Sequence, residues 1–131
     1  MSAFPLAITA IYAALLGLML VPISVRITIM RAKTKIMFFD GGDPELGRAI
    51  RVQGNFIEYV PMALILIALV EWAGMPGWAL HALGGGLLVA RLIHAWSLYT
   101  HQDLGRAVGA TITWIVIALG ALLVLYQSFA A

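Results

Sequence analysis

Four stretches of predominantly apolar residues follow one another with short polar breaks, and together they use up almost the whole 131-residue chain. The hydrocarbon core of a bilayer is about 30 Å thick and each helical residue rises about 1.5 Å, so roughly 20 apolar residues cross it as one helix. A helix satisfies its own backbone N–H and C=O groups, which no water can do at that depth. The stretches cover residues 4–25, 44–72, 76–99 and 106–129, and each predicts one transmembrane helix. The first is read as a retained helix, because nothing basic precedes it and no small-residue cleavage pattern ends it before Arg26. Composition agrees with this reading: 63% of residues are hydrophobic and 11% charged, against about 45–50% and about 25% in soluble domains.

The breaks are short and carry turn chemistry. In DGGDPELG, Asp43 is a good N-cap, Pro44 suits the first helical position and Glu45 favours the positive end of the helix dipole. Gly74, Pro76 and Gly77 mark a tight hairpin, and THQDLG separates the last two runs. Short connections make consecutive helices antiparallel neighbours, so the expected fold is an all-α, antiparallel four-helix bundle in the membrane, one domain over residues 1–131. Arg26, Arg31, Lys33, Lys35, Arg48 and Arg51 gather around the first break. The positive-inside rule then puts the first and third loops in the cytoplasm and both termini on the other side. Trp72 and Trp78 suit the outer interface, as Trp96 and Tyr99 suit the inner one.

The second run is polar in its first third. At about 100° per residue, Arg48, Arg51, Asn55, Glu58 and Tyr59 fall within an arc of roughly 100°, a stripe that descends about 15 Å from Arg48 to Glu58. The third run returns to the same surface and brings Arg91 and His94 to a similar depth, with Arg31 and Arg106 near the ends of the first and fourth. A charge in the bilayer interior costs at least about 2.5–3.5 kcal/mol, so these side chains should face the bundle or a cavity and mark a functional site. A purely structural interhelical network is the competing reading. Arg51 and Glu58, about 10 Å apart along the axis, are too distant to satisfy each other.

Guanidinium forks take carboxylates, a glutamate accepts from an ammonium, and an asparagine both donates and accepts. The complementary ligand is small and zwitterionic with more than one carboxylate; a peptide such as glutathione fits, as do several amino-acid derivatives. With no cysteine in the chain, thiol chemistry has to come from a ligand. Three scattered histidines make no metal site, and a net charge of +2 gives no basis for a nucleic-acid partner.

Arg51, Asn55 and Glu58, followed by Tyr59 and Pro61 and preceded by ELGRAI with Glu45 and Arg48, together with ARLIH in the third run, resemble the signature of the MAPEG superfamily. These are membrane-associated proteins in eicosanoid and glutathione metabolism, among them microsomal glutathione transferases and leukotriene C synthase. The likeness extends over essentially the whole chain and is strongest to small bacterial members, which implies a bacterial inner membrane. It implies a homotrimer with glutathione held between adjacent subunits near the cytoplasmic face. Arg48 and Arg51 would hold carboxylates, Asn55 and Glu58 the γ-glutamyl end, Gln53 and Tyr59 would add polar contacts, and Arg31, Arg91 and His94 would complete the ligand-binding set. Arg106 is the arginine near the third loop that would stabilise a thiolate. One position departs from the family: where a tyrosine often stands seven residues after the arginine of the third helix, this chain has Leu98, with Tyr99 one place later.

The function so implied is glutathione-dependent transfer to a hydrophobic small-molecule electrophile arriving through the lipid bilayer, or reduction of a lipid hydroperoxide. The alternatives are a membrane module that binds glutathione or lipid without turnover and a small drug exporter. Several arginines near Glu58 would repel the cationic substrates of such an exporter.

Overall fold

The computed structural model describes residues 4–130. Its four helices are α1 (Ala7–Thr34), α2 (Pro44–Trp72), α3 (Gly77–Tyr99) and α4 (Asp103–Ala130), each long and apolar enough to cross a membrane. The α2 helix packs against all three others, whereas α1 and α4 lie on opposite sides of the α2–α3 pair and do not touch among the described residues. Val52, Phe56, Val60, Ala63, Ile67 and Val70 of α2 are buried at spacings of three and four, which is the face a helix presents to a core. Large apolar side chains such as Leu18, Leu122 and Phe129 point outward on α1 and α4, where lipid rather than water is the solvent.

Two boundaries differ from the apolar runs. The α1 helix continues nine residues beyond Val25 to Thr34, because nothing between them breaks a helix and Ile27 and Met30 pack against Leu46 and Ala49 of α2. Arg31 therefore sits in the last turn of α1 and not beyond its end. A left-handed residue, Lys35 at φ 58°, terminates the helix by donating its N–H to Arg31 O. Likewise α4 begins at Asp103, three residues before Arg106, with an acid in its first turn. The start of α2 follows the expected chemistry: Asp43 Oδ1 accepts from Glu45 N at 2.9 Å and Leu46 N at 3.1 Å.

The first turn of α1 has no side-chain cap of its own. Glu71, at the far end of α2, supplies one. Its carboxylate accepts from Ile8 N at 3.0 Å, Thr9 N at 2.8 Å and Thr9 Oγ1 at 2.6 Å, an anion placed on the positive end of the α1 dipole. Close by, Tyr12 hydrogen-bonds His81 Nδ1 at 3.0 Å and lays its ring on Gly84, where any Cβ would collide with it.

Because lipid tails are as apolar as leucine, helices in a bilayer gain little from hydrophobic burial and rely on close packing. Gly109 makes the closest such contact to the backbone of another helix. A Cβ there would lie 2.6 Å from Ala90 O and 2.9 Å from His94 N, so its absence lets α4 rest directly on the α3 backbone.

Candidate functional site

At the end of the bundle that carries the α1–α2 and α3–α4 loops, a cavity of about 400 Å³ opens between α2, α3 and α4, within the usual range of about 300–1,000 Å³ for small-molecule sites. The polar stripe of α2 supplies Arg48, Arg51 and Asn55 to its wall, α3 supplies His94 and Leu98, and α4 supplies Arg106. The last of these owes its position to Gly109, one turn further along α4, which seats that helix against His94. Three guanidinium groups thus converge on one cavity, and two carboxylates at the rim, Asp40 and Asp103, offset part of their charge.

Unmet hydrogen-bonding capacity gives the cavity its chemical character. Asn55 Oδ1 is buried and has no partner. Arg48 Nε is likewise buried and unpartnered, with Glu45 Oε1 no closer than 4.0 Å. The nearest acid to Arg106 Nε is Asp103 Oδ1, also at 4.0 Å. Leaving a buried polar group unpaired costs about 1–3 kcal/mol, so a lone acceptor facing a set of donors is complementary to a guest carrying an N–H and several anionic oxygens.

Behind His94 lies Arg91, only 1% exposed and without an acidic partner among the described residues. Its Nη2 is 3.3 Å from His94 Nδ1, its Nη1 is 3.5 Å from Thr113 Oγ1, and its guanidinium carbon sits 5.7 Å from the centre of the Phe56 ring. A guanidinium has N–H donors and no acceptor. His94 therefore accepts at Nδ1, which puts its ring proton on Nε2. The Thr113 hydroxyl donates to Gly109 O at 2.8 Å, leaving its oxygen lone pairs for Arg91.

The residues singled out in the sequence divide into two groups. Arg48, Arg51, Asn55, His94 and Arg106 line the cavity. Arg31 instead donates from Nη1 to Ile36 O at 3.1 Å and Phe39 O at 2.9 Å, holding the first loop. Gln53, on the other face of α2, donates to Ser24 Oγ of α1 at 2.9 Å. Tyr59 packs against Trp114, ring centroids 6.4 Å apart. Glu58 lies outside the cavity on an exposed face. Tyr99 is turned away from the cavity toward Arg26 of α1, leaving the apolar Leu98 in the wall. Asp40 and Asp103 are the acidic cavity residues that sequence reasoning missed, because both read as parts of the polar breaks, one in DGGDPELG and the other in THQDLG. The signal for Asp40 is Gly47, where a Cβ would come within 3.2 Å of the Asp40 carboxylate.

Comparison with known proteins gives the same picture of the chain as the bundle and the α2 stripe do. Inner membrane protein YecN of Escherichia coli K12 is 34% identical over 112 residues, covering 86% of each chain, and YecN of Escherichia coli O6:H1 matches to the same extent. The model of the MAPEG family matches residues 9–126, a span that covers most of all four helices and every residue of the cavity. With four membrane-spanning helices in one bundle and that match over nearly its full length, the chain is a member of the MAPEG family.

Proposed function

We propose that the protein is a glutathione-dependent transferase of the bacterial inner membrane, with the first and third loops in the cytoplasm and glutathione entering the cavity from that side. The observation that carries the proposal is the pairing of three guanidinium groups with the buried, unpartnered Asn55 Oδ1 in one cavity of about 400 Å³. Arg48 and Arg51 take the two carboxylates, Asn55 accepts from an amide or ammonium N–H, and the rim carboxylates hold the remaining positive charge. Arg106 and the Nε2–H of His94 then face the thiol. A cation and a hydrogen-bond donor beside sulfur lower the thiol pKa from its ordinary value of about 8.5, so the proton leaves to solvent and the thiolate remains. In conjugation the sulfur forms a bond to an electrophilic carbon of an apolar substrate as the leaving group departs with its electron pair.

The exposed charge of Glu58, outside the cavity, supports a homotrimer. Charges facing hydrocarbon at that depth carry a cost of at least about 2.5–3.5 kcal/mol each, which a neighbouring subunit packed over this face removes. One observation favours a second reading, a module that binds without turnover: Leu98 puts a methyl-bearing side chain in the wall where a tyrosine hydroxyl would help hold a thiolate.

The two readings separate in one experiment. Purified protein mixed with glutathione at neutral pH should develop the ultraviolet band of a thiolate and conjugate a chloro-dinitrobenzene electrophile, and Arg106→Ala should remove both while glutathione still binds. Binding without thiolate or conjugate in the unaltered protein selects the module.

A further inference from the structure

A second cleft lies on a different face of α3, between α1 and α3 at the loop end of the bundle. Arg26, exposed on α1, places its guanidinium carbon 4.2 Å from the centre of the Tyr99 ring. No hydrogen bond or ion pair joins Arg26 to another described residue, and the Tyr99 hydroxyl is buried without a partner. Two open cavities meet at Pro22 and Arg26. One, of about 350 Å³, runs between the helices past Met19, Leu92 and Trp96. The other, of about 550 Å³, continues along α1 past Ile29 to Lys33 and Glu45. Glu45, at the far end of this cavity, accepts from His101 Nε2 at 3.1 Å and lies 4.0 Å from Arg48 Nε, while Arg26 and Lys33 are the cations of the lining that have no acidic partner among the described residues.

We propose that this cleft binds an anionic phospholipid from the leaflet that meets the first and third loops. Its phosphodiester oxygens accept from the Arg26 guanidinium and the Tyr99 hydroxyl. The rest of the headgroup reaches Lys33, two helical turns or about 10 Å further along α1, and one acyl chain follows the apolar trough past Pro22 and Trp96. An arginine that only snorkels extends its head into water; this one is held against an aromatic ring, beside a hydroxyl that lacks an acceptor and above a trough that water would not fill. Cation over ring, idle O–H and apolar channel together match an amphiphile with an oxyanion head, and the surrounding bilayer supplies that ligand continuously.

Trp96 lines the trough and serves as the probe. The protein carrying Trp72→Phe, Trp78→Phe and Trp114→Phe, with Trp96 retained, is reconstituted in phosphatidylcholine vesicles containing a small fraction of brominated lipid. Brominated phosphatidylglycerol should quench Trp96 at least about fivefold more effectively than brominated phosphatidylcholine at the same mole fraction, since each of the two cations contributes about 1 kcal/mol at a charged lipid surface. Arg26→Gln should abolish that preference and Lys33→Gln should reduce it, with far-UV circular dichroism unchanged in both. Equal quenching by the two lipids, or a preference that survives Arg26→Gln, overturns the site. Quenching by a brominated fatty-acid anion but not by brominated phosphatidylglycerol overturns the assignment to phospholipid. None of these outcomes depends on whether glutathione binds elsewhere.

Discussion

Gly109→Ala tests how the cavity is built. The added methyl would lie 2.6 Å from Ala90 O, 2.8 Å from His94 Cβ and 2.9 Å from His94 N. Two of these are backbone atoms in mid-helix that no rotamer change can move. Reaching even the 3.4 Å of ordinary contact from 2.6 Å pushes α4 away from α3 by about 0.8 Å, and Arg106, one turn away, moves with it. Overpacking of this kind costs about 1–3 kcal/mol, against a gain of up to about 1 kcal/mol in helix propensity. Gly17→Ala is the matched control, since nothing lies within 4 Å of its Cβ position. Unfolding in mixed detergent–SDS micelles should rank Gly109→Ala below Gly17→Ala by about 1–3 kcal/mol. Conjugation should fall on the order of 10- to 100-fold, because a misplacement near 1 Å at a reacting centre has that scale of effect. If Gly109→Ala is as stable and as active as Gly17→Ala, the helices do not meet at this point and the account of how Arg106 is positioned is wrong.

Three further outcomes are expected. Glu71→Gln removes the charge from the α1 cap while keeping one acceptor oxygen; it should destabilise the bundle by about 1–2 kcal/mol and make the first turn of α1 more sensitive to protease, with ligand binding unchanged. Arg91→Met should release His94 from its single tautomer, read as a change in the imidazole ¹⁵N shifts of His94 with those of His81 and His101 as internal references, and Arg91→Lys, still a donor, should restore the Nε2–H form. Gln53→Leu breaks the 2.9 Å bond to Ser24 and should cost about 0.5–1.5 kcal/mol in the same unfolding assay, an effect that Ser24→Ala reproduces without adding to it.

The bundle was legible because hydrocarbon imposes a length and a polarity that the sequence must meet almost residue by residue. The two differing boundaries arise where that constraint lapses: beyond Val25 the chain leaves the apolar run, and whether it stays helical is decided by Ile27 and Met30 docking on α2. The α2 stripe was equally legible, since a polar arc in an apolar helix has few explanations. Periodicity gives direction around an axis but not what stands opposite. For that reason Gln53 could be assigned a role while its partner Ser24 could not be foreseen. Asp40 illustrates the other limit. It reaches the cavity from an irregular loop, through a turn whose path rests on the positive φ of Gly41 and Gly42 and on the absence of a side chain at Gly47. Glu71 stands beside Trp72 at the end of an apolar run, and only the fold brings the N-terminus of α1 within reach of its carboxylate.

Titration of glutathione into the detergent-solubilised protein, followed by its heat, tests the central claim most directly, because it asks only whether the cavity holds the ligand its side chains describe. Saturable binding that Arg51→Ala weakens by tenfold or more, and that Asn55→Leu weakens comparably, is the predicted result. No saturable heat in the unaltered protein, or equal affinity in all three proteins, would contradict it.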